Sequence, residues 1–117
     1  MIRKTALAAA LALPALLFAA QASAHAHLVK SDPAAKAAIA APKTLHLQFS
    51  EKLEPKFSAA DLMTAAGAPV AVSAKVTGDT IEATPKAALK PGGYMVMWHV
   101  LSTDGHKSEG SYNFTVK

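Results

Sequence analysis

The chain contains no cysteine in its 117 residues. Disulfides, thiolate metal sites and thiol nucleophiles are therefore excluded. Small exported domains often use disulfides to compensate for a small core. This one must rely on hydrophobic packing, with or without a bound metal. Aromatic residues are scarce: one Trp, two Tyr and four Phe. No lysine run is present, so the basic cluster with interleaved aromatics that a nucleic-acid surface needs is missing. After residue 24 no segment approaches the roughly 20 apolar residues of a membrane span.

What is present begins with a leader. Arg3 and Lys4 give a positive start, residues 6–20 are apolar except for Pro14, and Ala22-Ser23-Ala24 is a small-x-small cleavage pattern. These are the three parts of a secretory signal peptide, and its apolar stretch is short for a membrane span. The expected organisation is a cleaved signal at residues 1–24 and one exported domain, not membrane-spanning, at 25–117. Without Arg3 and Lys4 there remain ten basic side chains against eight acidic ones. Ala24-His25-Ala26 also fits the cleavage pattern, so a cut before His27 is the second option.

The exported part reads as β structure. Leu45, Leu47 and Phe49 alternate with polar residues, as do Tyr94, Val96, Trp98 and Val100, and then Tyr112, Phe114 and Val116. A period of two is that of half-buried strands. Weaker strand candidates are 28–30, 60–64, 70–76 and 80–84. Asp32-Pro33, Ala41-Pro42, Gly67-Ala68-Pro69, Gly78-Asp79, Pro91-Gly92-Gly93 and Asp104-Gly105 are turn signals between them. Residues 34–40 permit a short helix, and 51–57, interrupted by Pro55, has room for one helical turn. About seven short strands argue for an all-β, antiparallel Greek-key sandwich or barrel.

The chemistry concentrates at two places. Cleavage after Ala24 would free the amine of His25, and that amine with the ring Nδ1 can chelate one metal. An α-amine has a pKa of about 7.7–8, so it yields its proton to a metal more readily than lysine does. The plainer alternative is a tolerated residue at a frayed chain end. The second place is Ser102-Thr103-Asp104-Gly105-His106, a loop between two strands. Asp104 and His106 offer an oxygen and a nitrogen, although Asp-Gly is also an ordinary turn dipeptide. If the first strand starts at the end where this loop lies, His25, Asp104 and His106 converge. Three nitrogens and one oxygen suit Cu(II), which outranks zinc for such ligands.

Other candidates are weaker. His27 shares a strand face with His25. His46 alternates against the inward leucines and faces solvent, while Trp98 reads as core. Met95, Met97 and His99 share the face opposite Tyr94, Val96 and Trp98. They either offer a soft site for Cu(I) or simply cover a partly buried surface.

The chain resembles the CopC-type periplasmic copper-resistance family. The matching stretches are His25-Ala26-His27-Leu28-Val29-Lys30-Ser31-Asp32-Pro33-Ala34 and Leu47-Gln48-Phe49-Ser50-Glu51-Lys52-Leu53. They continue with Pro91-Gly92-Gly93-Tyr94, with Trp98-His99-Val100-Leu101-Ser102-Thr103-Asp104-Gly105-His106, and with Gly110-Ser111-Tyr112-Asn113-Phe114-Thr115-Val116. The resemblance implies an immunoglobulin-like β-barrel that binds one Cu(II) and has no catalytic role. It implies His25, His106 and Asp104 as ligands, with Glu51 as an axial or outer group. It also implies delivery to an inner-membrane copper transporter of the CopD type, from a monomer in the periplasm. Some members carry a methionine-rich hairpin for Cu(I). Here Met63 stands alone in that hairpin, so that Cu(I) site is expected to be absent. Two rival functions are a histidine-brace copper monooxygenase and a metal-free structural β module.

Overall fold

The computed structural model describes residues 25–117, and the expected leader at 1–24 lies outside them. The described strands are β1 (Leu28–Asp32), β2 (Ala38–Ile39), β3 (Leu45–Phe49), β4 (Ala59–Thr64), β5 (Pro69–Val70), β6 (Val72–Thr77), β7 (Thr80–Pro85), β8 (Gly92–Leu101) and β9 (Lys107–Val116). A single 3₁₀ turn, Pro55–Phe57, precedes β4. Among the described residues no helix is long and apolar enough to cross a membrane.

Two sheets form, in the orders β1-β3-β7-β6 and β2-β9-β8-β4-β5. Every pairing is antiparallel except that of β2 with β9. Strands distant in sequence lie side by side, β3 with β7 and β4 with β8, so the chain crosses between sheets rather than meandering. This is the expected all-β antiparallel sandwich.

Alternation explains the core. In β3 Leu45, Leu47 and Phe49 are buried while His46 and Gln48 are exposed. Opposite them in register, Ala83 faces Leu45 and Ile81 faces Leu47. The second sheet contributes Leu62, Tyr94, Val96, Val100, Tyr112, Phe114 and Val116 to the same cluster. Full burial of each large aliphatic or Phe side chain contributes about 1.5–3 kcal/mol. Trp98 is only partly buried and packs against the edge of this cluster. Its ring meets Phe49 edge to face, with centroids 5.0 Å apart. Gly110 pairs with Trp98 across the β8–β9 ladder. A Cβ at Gly110 would come within 2.4 Å of the indole, so only glycine fits beneath the ring.

Three local expectations shift. Residues 70–76 are not one strand: they divide around Ala71 into β5, paired with β4, and β6, paired with β7 in the other sheet. Residues 34–40 form no helix, because β9 recruits Ala38 and Ile39 as a short parallel strand. The final strand begins at Lys107 rather than near Tyr112, because β8 pairs with residues 107–111 although they do not alternate in polarity. The 51–57 segment does contain its single helical turn.

Candidate metal centre

The β8–β9 ladder runs unbroken from Gly92–Val116 to Leu101–Lys107, so residues 102–106 are the tip of a long hairpin. Ser102, almost completely buried at 1 % exposure, organises that tip. Its N–H donates to the His106 carbonyl at 3.0 Å, and Gly105 N–H donates to the Ser102 carbonyl at 2.9 Å. The Ser102 hydroxyl donates to the Asp104 carboxylate and accepts from His106 N–H at 3.2 Å. Gly105 has φ +93°, a left-handed conformation that side chains resist. Asp104 and His106 therefore emerge from a closed turn, with Oδ1 3.6 Å from the His106 Nδ1. The Ser102 hydroxyl is the main cause holding the Asp104 carboxyl below the usual carboxylate range, with its own backbone N–H and His106 adding to the effect.

The start of the described chain is brought to the same end. Ala26 is fully buried, so alternation turns its neighbours His25 and His27 outward. Ser108 donates its hydroxyl to the Ala26 carbonyl. The His25 Nδ1 lies 3.1 Å from the Lys107 carbonyl, a bond that requires its proton on that nitrogen. The His25 and His106 rings meet edge to face, with centroids 5.1 Å apart. The structure thus brings together His25, His106 and Asp104.

His27 and Glu51 sit at this end on a different partner. His27 N–H donates to the Ser50 hydroxyl at 3.0 Å, and its Nδ1 lies 3.2 Å from the same oxygen. Ser50 N–H in turn donates to the His27 carbonyl. Two residues later, the Lys52 carbonyl accepts from Thr103 N–H at 3.0 Å. Glu51, exposed, lies between these two anchors. His46 makes its contact elsewhere, exposed on β3, with Nδ1 3.6 Å from the Glu82 carboxylate on β7.

Among the described residues no three His, Asp or Glu side chains form a ready-made metal-ligating group. The His25 backbone nitrogen is not a side-chain donor, and as an amide it has no lone pair to give. The ring Nδ1 is also turned to the Lys107 carbonyl. The donor set nonetheless fits a divalent ion once the amine is free: amine and Nδ1 from His25, imidazole from His106 and carboxylate from Asp104. The organising residues Ser102, Ser50 and Ser108 were not legible in advance. Serines flanking Asp104-Gly105-His106 and His27 were the one available hint.

Residues 28–117 match the model of the CopC domain. The chain belongs to the CopC family. It is similar to copper resistance protein C of Xanthomonas campestris pv. juglandis, 40 % identical over 112 residues that cover 88 % of each chain. Protein YobA of Escherichia coli strain K12 is 40 % identical over 113 residues, covering 80 % of each. The solved structure of PcoC, a methionine-rich copper resistance protein from Escherichia coli, superimposes with a TM-score of 0.74 at 37 % identity. That match covers 80 % of this chain and 99 % of PcoC. CopC from Methylosinus trichosporium OB3b gives a TM-score of 0.75 at 36 % identity, over 80 % and 94 % of the two chains. The family match begins at Leu28, so His25 and His27 rest on their own geometry.

Proposed function

We propose that this chain is a periplasmic copper-binding protein that holds one Cu(II) ion at its processed amino terminus. It would serve copper resistance by sequestering the ion or passing it, as a monomer, to a membrane copper transporter of the CopD type. The observation that carries this reading is the meeting of His25 with His106 and Asp104 at one end of the sandwich. The names of the copper resistance relatives support it. Three nitrogens and one oxygen are the donors a tetragonal Cu(II) centre takes.

On this reading export has a chemical consequence. Cleavage after Ala24 turns the His25 amide into an amine, and the His25 ring must leave the Lys107 carbonyl to present a bare Nδ1. Ser102 would keep Asp104 and His106 in place meanwhile. Glu51 and His27 are outer groups in this scheme, with Ser50 orienting the His27 ring. The hairpin between β4 and β5 carries Met63 alone and does not make the family's Cu(I) hairpin site. The role in this scheme is binding rather than catalysis, because the Asp104 carboxylate would take a coordination position that oxygen chemistry needs open.

A Cu(II) titration followed by electron paramagnetic resonance tests this. It compares protein processed to His25, confirmed by mass, with a form that keeps Met ahead of His25. The expected result is a one-to-one, nitrogen-rich tetragonal signal that weakens sharply in the extended form. Equal signals from both forms would remove the terminal amine from the ligand set and overturn the proposal.

A further inference from the structure

The lysines of the exported chain are gathered unevenly by the fold. Lys36 and Lys43 lie in the connection from β1 to β3, and Lys86 and Lys90 in the connection from β7 to β8. All four are exposed. Both connections belong to the end of the sandwich opposite the metal centre, where β1 and β7 finish and β3 and β8 start. Lys36 N–H donates to the Asn113 carbonyl of β9 at 2.6 Å, which ties the first connection to that end. The two connections meet around a recess of about 450 Å³, lined by Ala41, Pro42 and Lys43 from one and by Lys86, Ala87 and Ala88 from the other. Residues 33–44 and 85–93 contain no Asp or Glu.

The other pole has the reverse character. Glu51, Glu54, Asp79, Asp104 and Glu109 belong to the metal-centre end. Glu54 N–H donates to the Leu101 carbonyl, the Asp79 carbonyl accepts from Phe49 N–H, and Glu109 pairs with His99 near the tip of the β8–β9 hairpin. Strand β8 has ten residues, so at about 3.3 Å per residue the poles stand roughly 30 Å apart. The carboxylates nearest the four lysines along the strands are Asp32 and Glu82. Both stand opposite His46 on the flank of the four-stranded sheet, outside the basic end.

We propose that this basic end is a docking surface for an anionic phospholipid bilayer, set on the headgroups with the metal centre pointing away. Clustered lysines are drawn to anionic lipid, and their apolar stems can lie along Ala and Pro while the ammonium groups reach the phosphates. A protein partner fits this end less well. Protein interfaces are enriched in aromatics and arginine and depleted in lysine and alanine. Residues 33–44 and 85–93 hold no aromatic residue, and Arg3 is the only arginine in the sequence. Screening over about 8 Å at physiological salt keeps the acidic pole out of the membrane's field. The inference rests on the placement of charge and stands whether or not the amino terminus takes copper.

The test is sedimentation of the processed protein with vesicles of phosphatidylglycerol and phosphatidylcholine in equal parts, against phosphatidylcholine alone. Binding is expected only to the anionic vesicles, and it should weaken as salt rises. K36Q/K43Q/K86Q/K90Q should lose at least about tenfold in binding. K30Q/K52Q/K56Q/K75Q removes the same charge from other exposed positions and should keep most of it. Folded amide spectra of both variants are the control. Because the chain lacks cysteine, A88C and T103C each take a single environment-sensitive dye. The dye at position 88 should respond to anionic vesicles and the dye at position 103 should not. Failure to bind anionic vesicles, equal losses in the two lysine variants, or equal responses from the two dyes would overturn the proposal. Cross-linking of these lysines to an envelope protein without vesicle binding would put a protein in place of the bilayer.

Discussion

The ring of His25 stands edge-on to the ring of His106, 5.1 Å between centroids, although the two residues are 81 positions apart in the sequence. Two anchors make this possible. Ala26, buried, fixes where the chain starts, and Ser102, buried, fixes the hairpin tip. The copper site would therefore depend on residues that never touch the ion.

Ser102→Ala should expose that dependence. It removes the donor to the Asp104 carboxylate and the acceptor of His106 N–H. Outer-shell losses of this kind cost about 10–100-fold in metal affinity. We expect a loss of at least about tenfold in Cu(II) affinity, read by competition with a chelator. The fold should survive, because losing such hydrogen bonds costs roughly 1–3 kcal/mol. Unchanged affinity would mean that the tip holds its shape without Ser102.

Copper should raise the melting temperature of the processed protein. At free Cu(II) near 100 times Kd, a site confined to the folded state adds about 2.7 kcal/mol. For a domain of this size that is roughly 10–20 °C. Calorimetry with and without one equivalent of excess Cu(II) checks it. A flat melting temperature would favour a metal-free β module.

Gly110→Ala should disturb Trp98 rather than the ladder. The new methyl meets the indole at 2.4 Å, so the ring must leave its place against Phe49. Overpacking of this kind costs about 1–3 kcal/mol. The expected signs are a lower midpoint in urea and a red-shifted, altered tryptophan emission. An unchanged spectrum would place the indole elsewhere.

Tyr112 is expected to respond to alkali. Burial is the chief cause raising its phenol above the ordinary value, with Ser31 offsetting part of this. No hydrogen bond of good geometry reaches its hydroxyl. Because the folded pKa is the higher one, the folded state holds its proton longer. Stability from this group is complete below the unfolded pKa of about 10 and falls as pH rises past it. Tyr112→Phe should abolish that part of the alkaline loss. At pH 7 it should be neutral or slightly stabilising, since an unpaired buried hydroxyl is costly. Urea midpoints at pH 7 and above pH 10 decide between these and a structural role for the hydroxyl.

The strands that alternate strictly were legible because one face is buried and the other wet. Leu45, Leu47 and Phe49, and Tyr94, Val96 and Val100, are of this kind. Where pairing is imposed from outside, the local pattern is silent. The 107–111 segment is polar throughout and becomes a strand only because β8 lies beside it. Ala38–Ile39 is a strand only because β9 has a free edge. At the candidate site, the meeting of His25 with Asp104 and His106 was legible from their chemistry. Their supports were not, since a buried serine looks like any other serine.

The β8–β9 ladder also acts as a ruler. Ten residues of each strand are paired without interruption from Gly92 to Leu101, and side chains change face at every step. One residue inserted within β8 would send methionines into the core and aromatics into water along everything beyond it. One residue inserted at the tip would leave the ladder intact and move only Asp104 and His106. Length variation in this hairpin is thus confined to the tip. The outer face is free to change by substitution alone, so the two faces and the tip of one hairpin can evolve on separate terms.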